Sequence, residues 1–96
     1  MYRLNWFSDP AHGWLRVPLA LIVELGLADT ISKYSYRQGN YGYLEEDRDA
    51  TIFIEAAKDA GWELEFADSP AHYSDHDSIV RSFPSWTPPA ATRIEP

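Results

Sequence analysis

Residues 41–66 read YGYLEEDRDATIFIEAAKDAGWELEF, and this stretch decides the fold. Its pattern predicts a strand over 41–44, an acidic turn over 45–49, a helix over 50–60 and a second strand over 62–66. A structural unit and the strongest charge feature of the chain therefore occupy the same residues.

The helix is indicated by apolar side chains at helical spacing, and Gly61 suits the position just after its end. The following strand alternates in character, so Glu63 and Glu65 are expected on its solvent side. An Asp of the acidic turn, Asp47 or Asp49, is expected to cap the helix by accepting a backbone hydrogen bond.

Upstream, the alternation over residues 2–7 predicts a strand, and a loop punctuated by Pro10 leads to a second strand over 14–17. Residues 19–25 are apolar nearly all round, which predicts a buried helix. The glycine-containing segment 38–40 then predicts a hairpin between two tyrosine-bearing arms.

From Asp68 onward the sequence is rich in proline and shows no sustained periodicity. The whole pattern indicates the α+β class: a small antiparallel sheet of four to five strands with two helices, in the order ββαββαβ, and an irregular C-terminal tail. We expect one domain over residues 1–87 and a Pro-rich tail over residues 88–96.

Charge is distributed unevenly. The formal net charge is −7, and residues 45–77 hold eleven acidic residues against Arg48 and Lys58. Direct binding to nucleic acid is therefore not expected, because that binding depends on Lys and Arg neutralising phosphates.

The amino-acid composition indicates the cellular compartment of the protein. The chain has no cysteine, which excludes disulfides and thiolate metal sites and fits a reducing compartment. Its longest apolar run, residues 19–23, is far shorter than the roughly 20 residues that cross a bilayer. Residues 1–10 contain no apolar run of signal-peptide length. We expect a soluble cytoplasmic protein without a membrane interaction.

The sequence contains only weak matches to known catalytic and metal-binding motifs. A cluster at 72–77 and the separate His12 suggest a metal-dependent hydrolase as one alternative, but the spacing does not match known tight sites. The acidic turn lacks the ligand spacing of a calcium loop. We therefore expect no enzyme activity, no catalytic residue, no metal and no cofactor. The cluster consists of His72, Asp75, His76 and Asp77.

The acidic surface supports the leading hypothesis. Carboxylates held on a helix and an adjoining strand would resemble the phosphates of a nucleic acid and would be steered to a basic groove of a partner protein. The alternative explanation is that this charge only keeps the protein soluble. The predicted partner-binding residues are Glu45, Glu46, Asp47, Asp49, Glu55, Asp59, Glu63 and Glu65.

An alternative is an accessory or structural interaction domain that uses an aromatic surface. Tyrosines two residues apart in each arm of the hairpin share a face, so they form either a cross-strand cluster or a contact surface. These tyrosines are Tyr34, Tyr36, Tyr41 and Tyr43.

The segments SDPAHGWLRVP (8–18) and ELGLADTISKYSYRQGNYGYLEEDRDA (24–50) carry a family resemblance. Over residues 7–61 the chain resembles a family of small uncharacterised proteins from phages, plasmids and other mobile elements. In size and acidity it is also similar to anti-CRISPR proteins. That resemblance implies a DNA-mimicking inhibitor in the host-cell cytoplasm, with a basic nucleic-acid-binding protein such as a Cas effector subunit as its partner.

Overall fold

The structure is a computed structural model that describes residues 1–89, apart from the side chains of Ser69 and Pro70. The predicted residues 90–96 of the Pro-rich tail lie outside the described part. In this described part of the chain, five strands and two helices follow the predicted order, and a 3-10 turn comes after the last strand. The elements are β1 (Tyr2–Ser8), β2 (Gly13–Pro18), α1 (Leu19–Glu24), β3 (Tyr36–Gln38), β4 (Tyr41–Glu45), α2 (Asp49–Asp59), β5 (Leu64–Tyr73) and the 3-10 turn Ile79–Ser82.

The α+β class and the element order are confirmed. The sheet has five strands in the order β3-β4-β2-β1-β5. Within residues 1–89, none of the helices is long and apolar enough to cross a membrane.

One strand pairing differs from the expected antiparallel sheet. The pairs β1–β2, β2–β4 and β3–β4 are antiparallel, whereas β5 pairs with β1 in parallel. The reason is that α2 returns the chain to the end of the sheet from which β4 started, so β4 and β5 run in the same direction. Parallel strands need such a crossover connection. The sheet is therefore mixed.

Both helices cover one face of the sheet. Phe53 and Ala57 of α2 and Ile22 of α1 pack on Leu15 and Leu44 of the central strands, and all five are fully buried. This face holds the larger of the two hydrophobic clusters. Burial of apolar side chains at about 25 cal/mol per Å² is the main force that holds the helices on the sheet.

The opposite face is covered by the chain that follows β5. Val80 of the 3-10 turn packs against Trp14 and Tyr43, and Phe83 packs at the margin of this second cluster. A strand with apolar residues on both sides, such as β2, is buried on both faces for this reason.

Residues 84–86, after the 3-10 turn, then reach the edge of the sheet that β3 forms. Ser85 forms a bridge with Tyr36 of the edge strand β3, and the amide of Arg37 donates to the carbonyl of Pro84 at 2.9 Å. Trp86 turns under this edge, and its indole N–H donates to the carbonyl of Ala28 at 3.0 Å.

The prediction that no regular element follows Asp68 is wrong for residues 68–73, because β5 extends to Tyr73. Trp86 belongs to the core and lies inside the predicted domain of residues 1–87. The contacts that order this segment come from residues far away in the chain, so local periodicity does not reveal them.

Candidate functional site

Asp49 is a structural residue. Its side chain is fully buried, and one carboxylate oxygen accepts hydrogen bonds from the amide and hydroxyl of Ser32 (3.0 and 2.7 Å) and from the hydroxyl of Ser35 (2.5 Å). Arg48 contacts the other oxygen at 2.7 Å. The prediction that Asp49 binds a partner is wrong, because these contacts enclose its carboxylate while tying the chain before β3 to the start of α2.

Glu45 has a local role at the same turn. Its two oxygens accept the amide hydrogens of Asp47 (2.8 Å) and Arg48 (3.2 Å) just before α2 begins. Glu45 thus accepts the backbone hydrogen bonds that were expected of Asp47 or Asp49, and neither of those two residues caps the helix through its side chain. Glu46 and Asp47 remain exposed.

Glu55 and Asp59 project from the outer side of α2, as the helical spacing predicts, and both are exposed. Glu63 lies exposed between α2 and β5. Together with the exposed pair Glu46 and Asp47 they form a set that we call the free carboxylates. Among the described residues no ion pair engages any member of that set: Glu46, Asp47, Glu55, Asp59 and Glu63.

Glu65 lies on the other side of the sheet. It pairs in register with Arg3, and the Arg3 Nε donates to its carboxylate at 3.0 Å. Arg3 and Leu4 point to opposite faces because they are neighbours in a strand. Leu4 packs under the helices, so Glu65 faces away from α2.

The eight predicted partner-binding residues therefore do not all lie on one face of the molecule. Asp49 is buried, Glu45 accepts backbone hydrogen bonds in a turn, and Glu65 is ion-paired on the opposite face. The other five predicted residues are the free carboxylates. The helix pattern correctly placed Glu55 and Asp59 on the outer side of α2, whereas Glu63, predicted on the strand, precedes β5. The local patterns did not relate the helix and the strand to each other.

A cleft of about 340 Å³ lies beside the acidic turn. Trp14 and Tyr36 meet there edge to face, with ring centroids 6.2 Å apart, and Tyr34, whose residue is 70% exposed, stands beside them. The cleft is lined by His12, Trp14, Ser32, Tyr34, Tyr36, Glu45, Asp47, Arg48 and Arg81.

The four hairpin tyrosines do not form one surface. Tyr43 is buried and contacts Phe7 and Phe83, whereas Tyr41 lies partly exposed under the guanidinium of Arg16. Only Tyr34 and Tyr36 line the cleft.

Arg81 forms the cleft's charged floor together with Asp9. Its Nε and one Nη donate to the two carboxylate oxygens of Asp9 at 2.7 and 3.1 Å, and its guanidinium lies 5.3 Å from the centroid of the Trp14 ring. This pairing holds the pKa of Asp9 well below its usual range, against the opposing effect of burial. The same pairing raises the pKa of Arg81.

The net charge of the cleft is negative. Arg81 is neutralised by Asp9, and Arg48 is neutralised by the buried Asp49. The carboxylates of Glu45 and Asp47 are then in excess at the aromatic walls.

The histidines of the predicted metal alternative do not converge. Among residues 1–89, no three His, Asp or Glu side chains come close enough together to hold a metal ion. His72 stacks on Phe7 with ring centroids 4.1 Å apart, and His12 lies 6.2 Å from the ring centroid of Trp14.

Sequence reasoning missed the cleft and its Asp9–Arg81 pair. The amides of Ala11 and His12 both donate to Asp9 at 3.0 Å, a local turn that an Asp-Pro pair favours. No local signal connects Asp9 to Arg81, which is 72 residues away.

Comparison with known proteins adds no family assignment. No protein-family model matches the chain, and no curated protein or solved structure is similar enough to it to count as a match.

Proposed function

We propose that this protein is a non-enzymatic binding protein that docks its free carboxylates on a basic surface of a nucleic-acid-handling protein and competes there with DNA or RNA. The observation that supports this function is the set itself: five exposed carboxylates without a cationic partner among the described residues. Unpaired carboxylates keep their full charge available for a partner.

Their placement on a rigid support favours binding over simple solubility. Phe53 and Ala57 anchor α2 in the core, and the buried Asp49 fixes its first turn. Glu55 and Asp59 are therefore presented from a helix that does not need to order when it binds. A preorganised surface loses less conformational entropy on association.

Two of the free carboxylates, Glu55 and Asp59, lie on α2, and the other three flank it in sequence. Eleven residues at a rise of about 1.5 Å each give the helix a length of roughly 16 Å. Asp47 precedes the helix and Glu63 follows it. Charges spread over this length are suited to a groove that normally contacts several phosphates of a nucleic acid.

The resemblance to mobile-element proteins and, in size and acidity, to anti-CRISPR proteins supports a narrower version. In that version the partner is a subunit of a Cas effector, the setting is the cytoplasm of a host cell, and the protein acts as a DNA mimic that occupies the nucleic-acid groove. Electrostatic steering would speed association, and salt would weaken it.

The test begins with capture of partners by the tagged protein and then measures competition on the captured protein. A labelled oligonucleotide bound to that partner should be displaced by the wild-type protein, with an apparent affinity that falls as salt rises from 50 to 300 mM. Glu63→Lys should weaken displacement. A partner that binds the oligonucleotide and this protein at the same time would contradict the proposal.

A second candidate function is a contact through the aromatic surface. Tyr34 favours it, since 70% of this large residue is exposed beside the cleft. A contact dominated by Tyr34 should be nearly insensitive to salt and should be lost in Tyr34→Ala, whereas the acidic docking should keep its salt dependence in that variant.

A further inference from the structure

We propose that the cleft beside the acidic turn receives the guanidinium group of an arginine side chain from the basic partner. This inference rests on the proposed function, since it names the group of the partner that the protein recognises. It adds a specific contact to the general attraction of the free carboxylates.

The size of the cleft favours a single side chain. About 340 Å³ lies near the lower end of the roughly 300–1,000 Å³ that is typical of ligand pockets. The cleft is too small for a folded element, and it opens beside the exposed Tyr34, where a side chain from a docked protein can enter.

The cleft already holds one guanidinium in the manner proposed for the second. The Arg81 group lies over the Trp14 ring and is bound on its edge by both oxygens of Asp9. An aromatic face together with a carboxylate is the environment that suits a planar, weakly hydrated guanidinium.

The same cleft offers a second combination of aromatic rings and carboxylates. Tyr34 and Tyr36 provide ring surfaces, and the Asp47 carboxylate takes part in no ion pair with the described residues. The Glu45 oxygens each accept one backbone hydrogen bond and keep further acceptor capacity.

The charge balance selects a cation over an anion. The two lining arginines, Arg48 and Arg81, are each paired with a carboxylate that balances their charge. The carboxylates of Glu45 and Asp47 remain in excess and would repel an anion. Arginine is favoured over lysine because its flat group stacks on tyrosine and donates to carboxylates from a fixed fork.

The test uses N-acetyl-arginine amide as a probe of the whole protein, with N-acetyl-lysine amide and inorganic phosphate as comparisons. Titration followed by amide and indole N–H chemical shifts should give a weak, saturable response. The response should map to the Trp14 indole and to the amides of Ser32 and Tyr36, and the lysine compound should bind several-fold more weakly.

Two variants test the assignment. Asp47→Asn and Tyr34→Ala should each weaken arginine binding by about two- to fivefold. Asp68→Asn and Tyr73→Ala serve as matched controls, because both residues are exposed and lie on β5, which forms the edge of the sheet opposite β3. Both controls should bind the probe as the wild type does.

Equal binding of arginine and lysine, preferential binding of phosphate, or shifts that map elsewhere would overturn the inference. Unchanged binding in both cleft variants would overturn it as well. This result is independent of the proposed function, which is tested by nucleic-acid displacement on a captured partner. If the wild-type protein binds the arginine probe but does not displace the oligonucleotide from the captured partner, the proposed function alone is contradicted.

Discussion

The guanidinium of Arg81 donates to both carboxylate oxygens of Asp9 across a sequence separation of 72 residues. Asp9 also accepts the amide of Ser78 at 2.9 Å, so one buried carboxylate joins the β1–β2 loop to the segment that covers the sheet. The same arginine stacks on Trp14 at the floor of the cleft. The Asp9–Arg81 pair therefore both joins these two segments and forms part of the cleft.

The Asp9–Arg81 pair predicts acid sensitivity. The pKa of Asp9 is lowered in the folded protein by Arg81 and by backbone hydrogen bonds. Its contribution to stability is therefore complete above the pKa of an unstructured aspartate, about 3.9, and is lost as the pH falls toward the folded value. Urea unfolding between pH 6 and pH 2 should show this loss. Asp9→Asn should be less stable at pH 6 and should have a flatter acid limb; an equally steep limb would contradict the assignment.

Removal of the Asp49 carboxylate should be costly. Asp49→Ala leaves the amide and hydroxyl of Ser32 and the hydroxyl of Ser35 without their buried acceptor, so we expect a loss of about 3 kcal/mol or more in the free energy of unfolding. Asp47→Ala, two residues away and exposed, should change stability by less than about 0.5 kcal/mol. Chemical denaturation measures both, and similar values for the two variants would refute the structural role.

The position of Gly42 should not tolerate a methyl group. A Cβ there would lie 2.9 Å from Ile22 Cδ1 and 2.9 Å from Trp86 Cζ3, both in the core. Gly42→Ala should therefore lower stability by about 1–3 kcal/mol. Gly13→Ala is the matched control, because its nearest neighbour at 3.2 Å is an oxygen of the exposed Glu46 side chain, which can move. Thermal unfolding that ranks the two variants in the opposite order would contradict this packing.

The C-terminal segment should contribute to the core. Trp86 is 5% exposed and belongs to the cluster under the helices, so Trp86→Ala should cost about 3–5 kcal/mol. Ile79→Ala, at a residue that is 67% exposed, should be nearly neutral. Unfolding curves give both values, and a neutral Trp86→Ala would show that the segment does not hold the sheet.

Local patterns predicted the elements of this fold well. The apolar spacing of Phe53 and Ala57 places α2 within one residue of its bounds, and Gly61, with φ of 83°, follows it as the glycine ending predicts. The hairpin turn likewise uses Gly39 at φ of 60°. These features depend on neighbours in sequence, which is why they are readable.

Relations between distant elements were not readable in the same way. The parallel pairing of β5 and the Asp9–Arg81 pair each depend on where two remote segments meet. The exposure of Glu55 and Asp59 followed from helix periodicity. The burial of Asp49 did not, because its acceptor role is set by Ser32 and Ser35, 17 and 14 residues earlier.

Location of charge, as distinct from its amount, is the central element of the proposed function. Two triple variants separate the two quantities, since each removes three negative charges. The first neutralises the set at α2 with Glu55→Gln, Asp59→Asn and Glu63→Gln. The second neutralises exposed acids elsewhere with Glu24→Gln, Asp29→Asn and Asp68→Asn. Their net charges are equal, so any difference in binding reports position.

The most direct measurement is the concentration of each variant that displaces half of a labelled oligonucleotide from the captured partner at a fixed salt concentration. The α2 triple variant should need about tenfold more protein than the wild type, because three contacts of several tenths of a kcal/mol are lost. The control triple should remain within about twofold of the wild type. Equal displacement by the two triple variants, or undiminished displacement by the α2 variant, would contradict the account.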